Sequence, residues 1–133
     1  MAPAREKLAR ASVWAAQLLI AVPFAGIAAM KLGKPIAELN RNVPWALEYP
    51  NMVRVMGAID LLGAIGIFAP AFLRIMPRLT VWAAIGCAAL MISAIVFHIA
   101  RGEAWATPIN VVYLLLAIYV WWGRAKRFPI ASR

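Results

Sequence analysis

Four long apolar runs, separated by short stretches rich in proline and charge, organise this chain: Ala11 to Met30, Val55 to Leu73, Leu79 to Ala100 and Ala104 to Gly123. Each is close to the ~20 residues a helix needs to cross ~30 Å of hydrocarbon. The second run carries an acid, Asp60, near its middle. An ionised carboxylate at the bilayer centre costs at least ~2.5–3.5 kcal/mol, so Asp60 is expected to face the bundle interior, a cation or a proton rather than lipid. The pattern predicts an all-α integral membrane four-helix bundle, a single domain over residues 1–133 with helices near 10–32, 51–70, 77–100 and 106–123.

Proline marks most of the boundaries. Pro23 lies inside the first helix and is expected to bend it, because it lacks a backbone donor and its ring crowds the preceding turn. Prolines 35, 44 and 50 punctuate residues 33–50, a segment of mixed polarity that reads as an ordered loop with short amphipathic pieces, its Trp45 and Tyr49 suited to the interface. The second helix follows Pro50, with Asn51 as cap, and its regular portion is expected to end near Pro70. Pro77 fits the first position of the third helix, and Thr107-Pro108 opens the fourth. Within the second helix, Arg54, Gly57, Asp60, Gly63 and Gly66 recur every three residues, so small side chains flank the acid and let a partner helix or a ligand approach it.

Composition agrees with this reading: 65% of residues are hydrophobic and 14% charged, against about 25% charged in a soluble domain. The net charge of +9 is unevenly placed. Nine of the 14 basic residues lie in the N-terminal segment, at Arg74 and Arg78, and after Gly123, with Glu6 the one acid among them. Lys31, Lys34, Arg41, Arg54 and Arg101 fall at the other side and are offset by Glu38, Glu48 and Glu103. By the positive-inside rule both termini and the second loop are expected to be cytoplasmic and the first and third loops outward. The juxtamembrane basic groups are also expected to favour anionic headgroups, at ~1 kcal/mol each. Nucleic acid is not expected as a partner, since no basic recognition helix or aromatic stacking module accompanies the charge. The first run is read as a span rather than a cleaved signal, being longer than a 7–15-residue signal core and lacking a small-x-small exit. One cysteine, Cys87, and one histidine, His98, leave no disulfide within the chain and no expected metal site. Cys87 reads as a packing residue.

The candidate chemistry lies in the half of the bundle near the first and third loops. Asp60 and His98 are the candidate acid/base pair, catalytic if the protein is an enzyme; Lys31, Arg54, Arg101, Asn110 and Tyr113 are candidate ligand-binding residues. Arg54 and Lys31 are the preferred partners for Asp60, because a cation best offsets the desolvation of a carboxylate. Arg54 stands six residues away, ~9 Å along the axis, which also allows its side chain to reach outward. Gln17 is a further candidate for a buried hydrogen bond, and Tyr119, Trp121 and Trp122 read as an interfacial aromatic belt.

The strings PFAGIAAMKL, RVMGAIDLLGAIGIFAP, AAIGCAALMISAIVFHIARGE and TPINVVYLLLAIYVWWGR, in this order and spacing, resemble the DoxX-like family of small four-helix membrane proteins over nearly the whole chain. Asp60 stands where the family resemblance places a glutamate in an R-x-x-G-x-x-E-x-x-G pattern, one methylene longer. The resemblance implies kinship with membrane subunits of thiosulfate:quinone oxidoreductases, with partners of thiol and superoxide defence enzymes and, more distantly, with receptor-assembly chaperones. It therefore implies no single reaction and names no cofactor. Three readings follow. The first is a cytoplasmic-membrane protein with an outward-opening polar pocket that takes a small lipophilic or quinone-like molecule in a redox or detoxification setting. The second is a non-catalytic partner or assembly factor for another membrane or peripheral redox protein. The third, proton or ion transport, requires a homo-oligomer at this chain length.

Overall fold

A computed structural model describes residues 3–133. The described chain is helical, with no strand: α1 (Ala4–Gly33), α2 (Ile36–Leu39), α3 (Pro50–Leu73), α4 (Arg78–Ala100) and α5 (Thr107–Trp122), with a 3₁₀ turn at Ala104–Ala106 and a π turn at Gly123–Arg127. Four helical segments, α1, α3, α4 and Ala104–Arg127, are long and apolar enough to cross a membrane. Their outward faces are apolar as well: Val22, Leu62 and Trp82 are each about two-thirds exposed, which water would not tolerate in such number and acyl chains would cover.

The long helices alternate in direction, so the bundle has two ends. One, the loop end, gathers α2, the 40–49 segment and residues 101–106; the other, the terminal end, gathers both chain termini and the α3–α4 turn. Between them, Ile20 and Phe24 of α1, Ile67 of α3, Ala84 and Met91 of α4, and Ala117 and Val120 of α5 form the main core. A second cluster of Leu39, Trp45, Ala46 and Val53 fastens the 36–46 segment to α3, with Phe97 of α4 packed against it.

Helix ends depart from the sequence expectation for identifiable reasons. α1 begins at Ala4 rather than near residue 10: the amides of Glu6 and Lys7 bond to the Pro3 carbonyl, and Glu6 in the first turn complements the helix dipole. α3 continues through Pro70 to Leu73 instead of ending near it. Pro70 cannot donate to the Gly66 carbonyl, and Thr80 Oγ1 of α4 donates to that carbonyl instead, at 3.1 Å. The helix stops at Arg74, whose left-handed backbone (φ 58°) turns the chain towards α4.

Two glycines set how closely neighbouring elements approach α1. A Cβ on Gly57 of α3 would lie 2.8 Å from Lys31 Cβ, and one on Gly123 would lie 2.6 Å from Val13 Cγ2. Both positions bring a neighbouring element against α1, one at each end of the bundle, and both contacts need the missing side chain.

Candidate functional site

The close contact at Gly57 presses the last turn of α1 onto α3, one helical turn from Asp60. Lys31 then reaches Asp60 directly, with Nζ donating to Oδ2 at 2.9 Å. The pair is largely withdrawn from solvent, the side chains being 16% and 9% exposed, so the carboxylate's desolvation is offset by a charge-assisted hydrogen bond. The ammonium also lies 6.0 Å from the Trp45 ring centroid, which connects the ion pair to the loop segment. Arg54 takes a different role. Its Nη1 donates to the Lys31 carbonyl at 2.6 Å, satisfying an orphan carbonyl at the end of α1 and holding Lys31 in place from behind.

The Lys31–Asp60 pair lies on the wall of a cavity of about 800 Å³ at the loop end, bounded by α1, the 39–45 segment, α3, α4, the 3₁₀ turn and α5. This volume falls in the range of small-molecule sites, ~300–1,000 Å³. Most of the wall is apolar. Methionines 30, 52, 56 and 91 supply adaptable surface, and Phe24, Trp45, Phe97 and Trp105 supply flat aromatic surface. Besides the ion pair, polar side chains reach it from Asn42, Ser93, His98, Asn110 and Tyr113. Phe24 meets Tyr113 edge to face on this wall, with centroids 5.3 Å apart.

Five of the seven candidate residues therefore share this cavity: Lys31, Asp60, His98, Asn110 and Tyr113. Arg54 lies behind it. Arg101 turns away into an ion-pair cluster above it, its Nε donating to Glu103 Oε1 at 3.0 Å and its Nη1 to Glu48 Oε2 at 2.6 Å. His98 belongs to the same cluster through Nδ1, 3.1 Å from Glu103 Oε1; an ionised carboxylate only accepts, so this nitrogen carries the proton. Asp60 and His98 thus each have their own partner, Lys31 and Glu103. The His98 hydrogen bond, followed by the hydrogen bond and charge of Arg101, holds the Glu103 carboxyl below the ordinary glutamate value. The Arg101–Glu48 contact bridges 53 residues and ties the 40–49 segment to the end of α4.

Among the described residues, no group of three or more His, Cys, Asp or Glu side chains is placed to hold a metal ion. Cys87 is buried in the core and reduced, close behind Gly63. A polar group that the charge pattern alone did not single out lies at the terminal end. Arg124, one of the basic residues after the last span, is only 6% exposed and donates from Nε to Gln17 Oε1 at 2.9 Å. Gln17 in turn donates to the Ile67 carbonyl at 2.7 Å. The sequence signal for this burial was Gly123, the small residue that lets the end of the chain close onto α1.

Fold and site together define a small polytopic helical membrane protein with an ion pair on the wall of an apolar cavity. Its family can be stated: the chain belongs to the DoxX-like family, whose model matches residues 15–120. No curated protein and no solved structure matches the chain.

Proposed function

We propose that the chain binds a small lipophilic molecule with a polar, carbonyl-bearing head, of which a quinone is the type, in the cavity at the loop end. One observation carries this reading: a cavity of about 800 Å³, walled mainly by apolar side chains that include four methionines and several aromatic rings, has the Lys31–Asp60 pair on its wall. The apolar body packs against the methionines and rings; the head accepts hydrogen bonds from the Lys31 ammonium and from Asn110 or Tyr113. Asp60 holds the ammonium in position and can exchange a proton with the head, while His98, fixed by Glu103, stands as the second acid/base group. The protein would act as a ligand-binding component in a redox or detoxification setting. The unequal charge of the two ends supports a cytoplasmic-membrane location with both termini cytoplasmic, so that the cavity faces outward.

Trp45 and Trp105 line the cavity, so titration of the purified protein with decylubiquinone, followed by tryptophan fluorescence, reads occupancy directly. Saturable quenching with one equivalent is expected. Met56→Trp, which narrows the cavity, should weaken it, and Asp60→Asn should fold normally yet weaken binding by about tenfold, ~1.4 kcal/mol. Unsaturable quenching, or equal binding by wild type and Met56→Trp, would sink the proposal.

A further inference from the structure

The buried charge at the terminal end lacks the partner that its counterpart at the loop end possesses. The Arg124 guanidinium donates to two neutral acceptors, Gln17 Oε1 and the Phe128 carbonyl at 3.2 Å, and lies 4.4 Å from the Trp14 ring centroid. Its Nη2 is buried with no hydrogen-bond partner, the one such side-chain atom among the described residues. A guanidinium with five donors and no anion is an uncompensated buried charge, the arrangement that costs most in a low-dielectric setting.

The surroundings add further positive charge. Phe128, itself buried, has Arg10 and Arg127 over its ring, with guanidinium carbons 4.9 and 5.0 Å from the centroid. The nearby acid, Glu6, touches Arg10 at 3.4 Å, and that Arg10 side chain remains 53% exposed. Three guanidiniums thus converge on Phe128 at the end of the bundle, Arg10 and Arg127 over its ring and Arg124 on its carbonyl, where helices leave the hydrocarbon. We propose that this end carries a site for a phosphate-bearing anion: its oxygens bridge Arg10 and Arg127 at the rim and, with a rotation of the Phe128 side chain, accept from Arg124 Nη2. Arginine forks match phosphate geometry, and the interface supplies such groups as lipid headgroups. The site is independent of the cavity at the loop end.

Native mass spectrometry of the detergent-purified chain tests this with three probes: phosphatidylglycerol, phosphatidylcholine and inorganic phosphate. One phosphatidylglycerol per chain should bind at least about tenfold more tightly than phosphatidylcholine, and Arg124→Gln should remove that preference. The double variant Arg10→Gln/Arg127→Gln changes exposed side chains only, so it decides the matter should Arg124→Gln fail to fold; it too should lose about tenfold. Arg78→Gln, an exposed charge at the same end, should change binding less than about twofold. Inorganic phosphate binding that the same variants abolish, without a lipid preference, would assign the site to a soluble phosphate-bearing anion and uphold the chemistry. Equal binding of both lipids with no phosphate bound would overturn it. Loss in Arg78→Gln as large as in the rim pair would also overturn it, since the attraction would then be a diffuse field.

Discussion

At the loop end a buried carboxylate, Asp60, meets a lysine at 2.9 Å; at the terminal end a buried arginine, Arg124, meets a glutamine, a carbonyl and an indole face. Both groups are only 6% exposed, and both are brought into place by a glycine that lets a neighbouring element approach α1. The difference lies in what compensates the charge. Internal pairing at the loop end leaves a dipolar, net-neutral feature on a cavity wall, suited to a neutral ligand with a polar head. Neutral solvation at the terminal end leaves a net positive group, suited to an anion from outside the chain.

The comparison is broken or sharpened most strongly by removing each cation. Lys31→Met leaves Asp60 buried without its partner and should cost about 3–5 kcal/mol in unfolding experiments in detergent, whereas Arg124→Met strands only neutral acceptors and should cost about 1–3 kcal/mol. Adding Asp60→Leu to Lys31→Met should restore most of the loss, because replacing a buried pair by apolar residues is often close to neutral. Equal costs for the two methionine variants would refute the contrast between paired and unpaired charge.

Close approach is the next test. Gly57→Ala and Gly123→Ala should each cost about 1–3 kcal/mol by overpacking. Val13→Ala should rescue Gly123→Ala, because the obstructing atoms at that site are the two Val13 methyl groups. No comparable rescue is expected for Gly57→Ala, where Lys31 Cβ itself obstructs. Failure of the Val13 rescue would mean that Gly123 serves the π turn rather than the contact.

The smallest effect expected is that of acid on the cluster of His98, Arg101, Glu48 and Glu103. Glu103 has a folded-state pKa below its unfolded value, so its contribution is fully present above the ordinary glutamate range and is lost as pH falls through the lowered value. Thermal unfolding should therefore show a modest loss on acidification, smaller than that from either glycine substitution. Glu103→Gln should flatten this dependence; an unchanged acid limb would remove Glu103 from the account.

Much of this protein is legible without coordinates, and the limits of that reading follow from particular residues. Four spans, a helical fold and a DoxX-like kinship come from apolar runs and their order, because the cost of transferring a residue into hydrocarbon depends mainly on its own side chain. The same additivity marks Asp60 as a group needing compensation, and Gln17 as a buried hydrogen-bonding candidate. It does not choose their partners. Of the two cations preferred for Asp60, Lys31 reaches it while Arg54 binds the Lys31 carbonyl, and that choice depends on the depth and rotation at which α1 meets Gly57. Arg101 joins Glu48 across 53 residues because the 40–49 segment packs over α4. Arg124 reads as one more basic residue beyond a span, yet it is buried because Gly123 admits Val13 and Phe128 folds back against the bundle. The sequence by itself determined which segments enter the apolar phase and which charges need compensation; only the tertiary structure decided what compensates each, because hydrogen bonds and ion pairs act over about 3 Å and that distance is set by helix packing, not by separation along the chain.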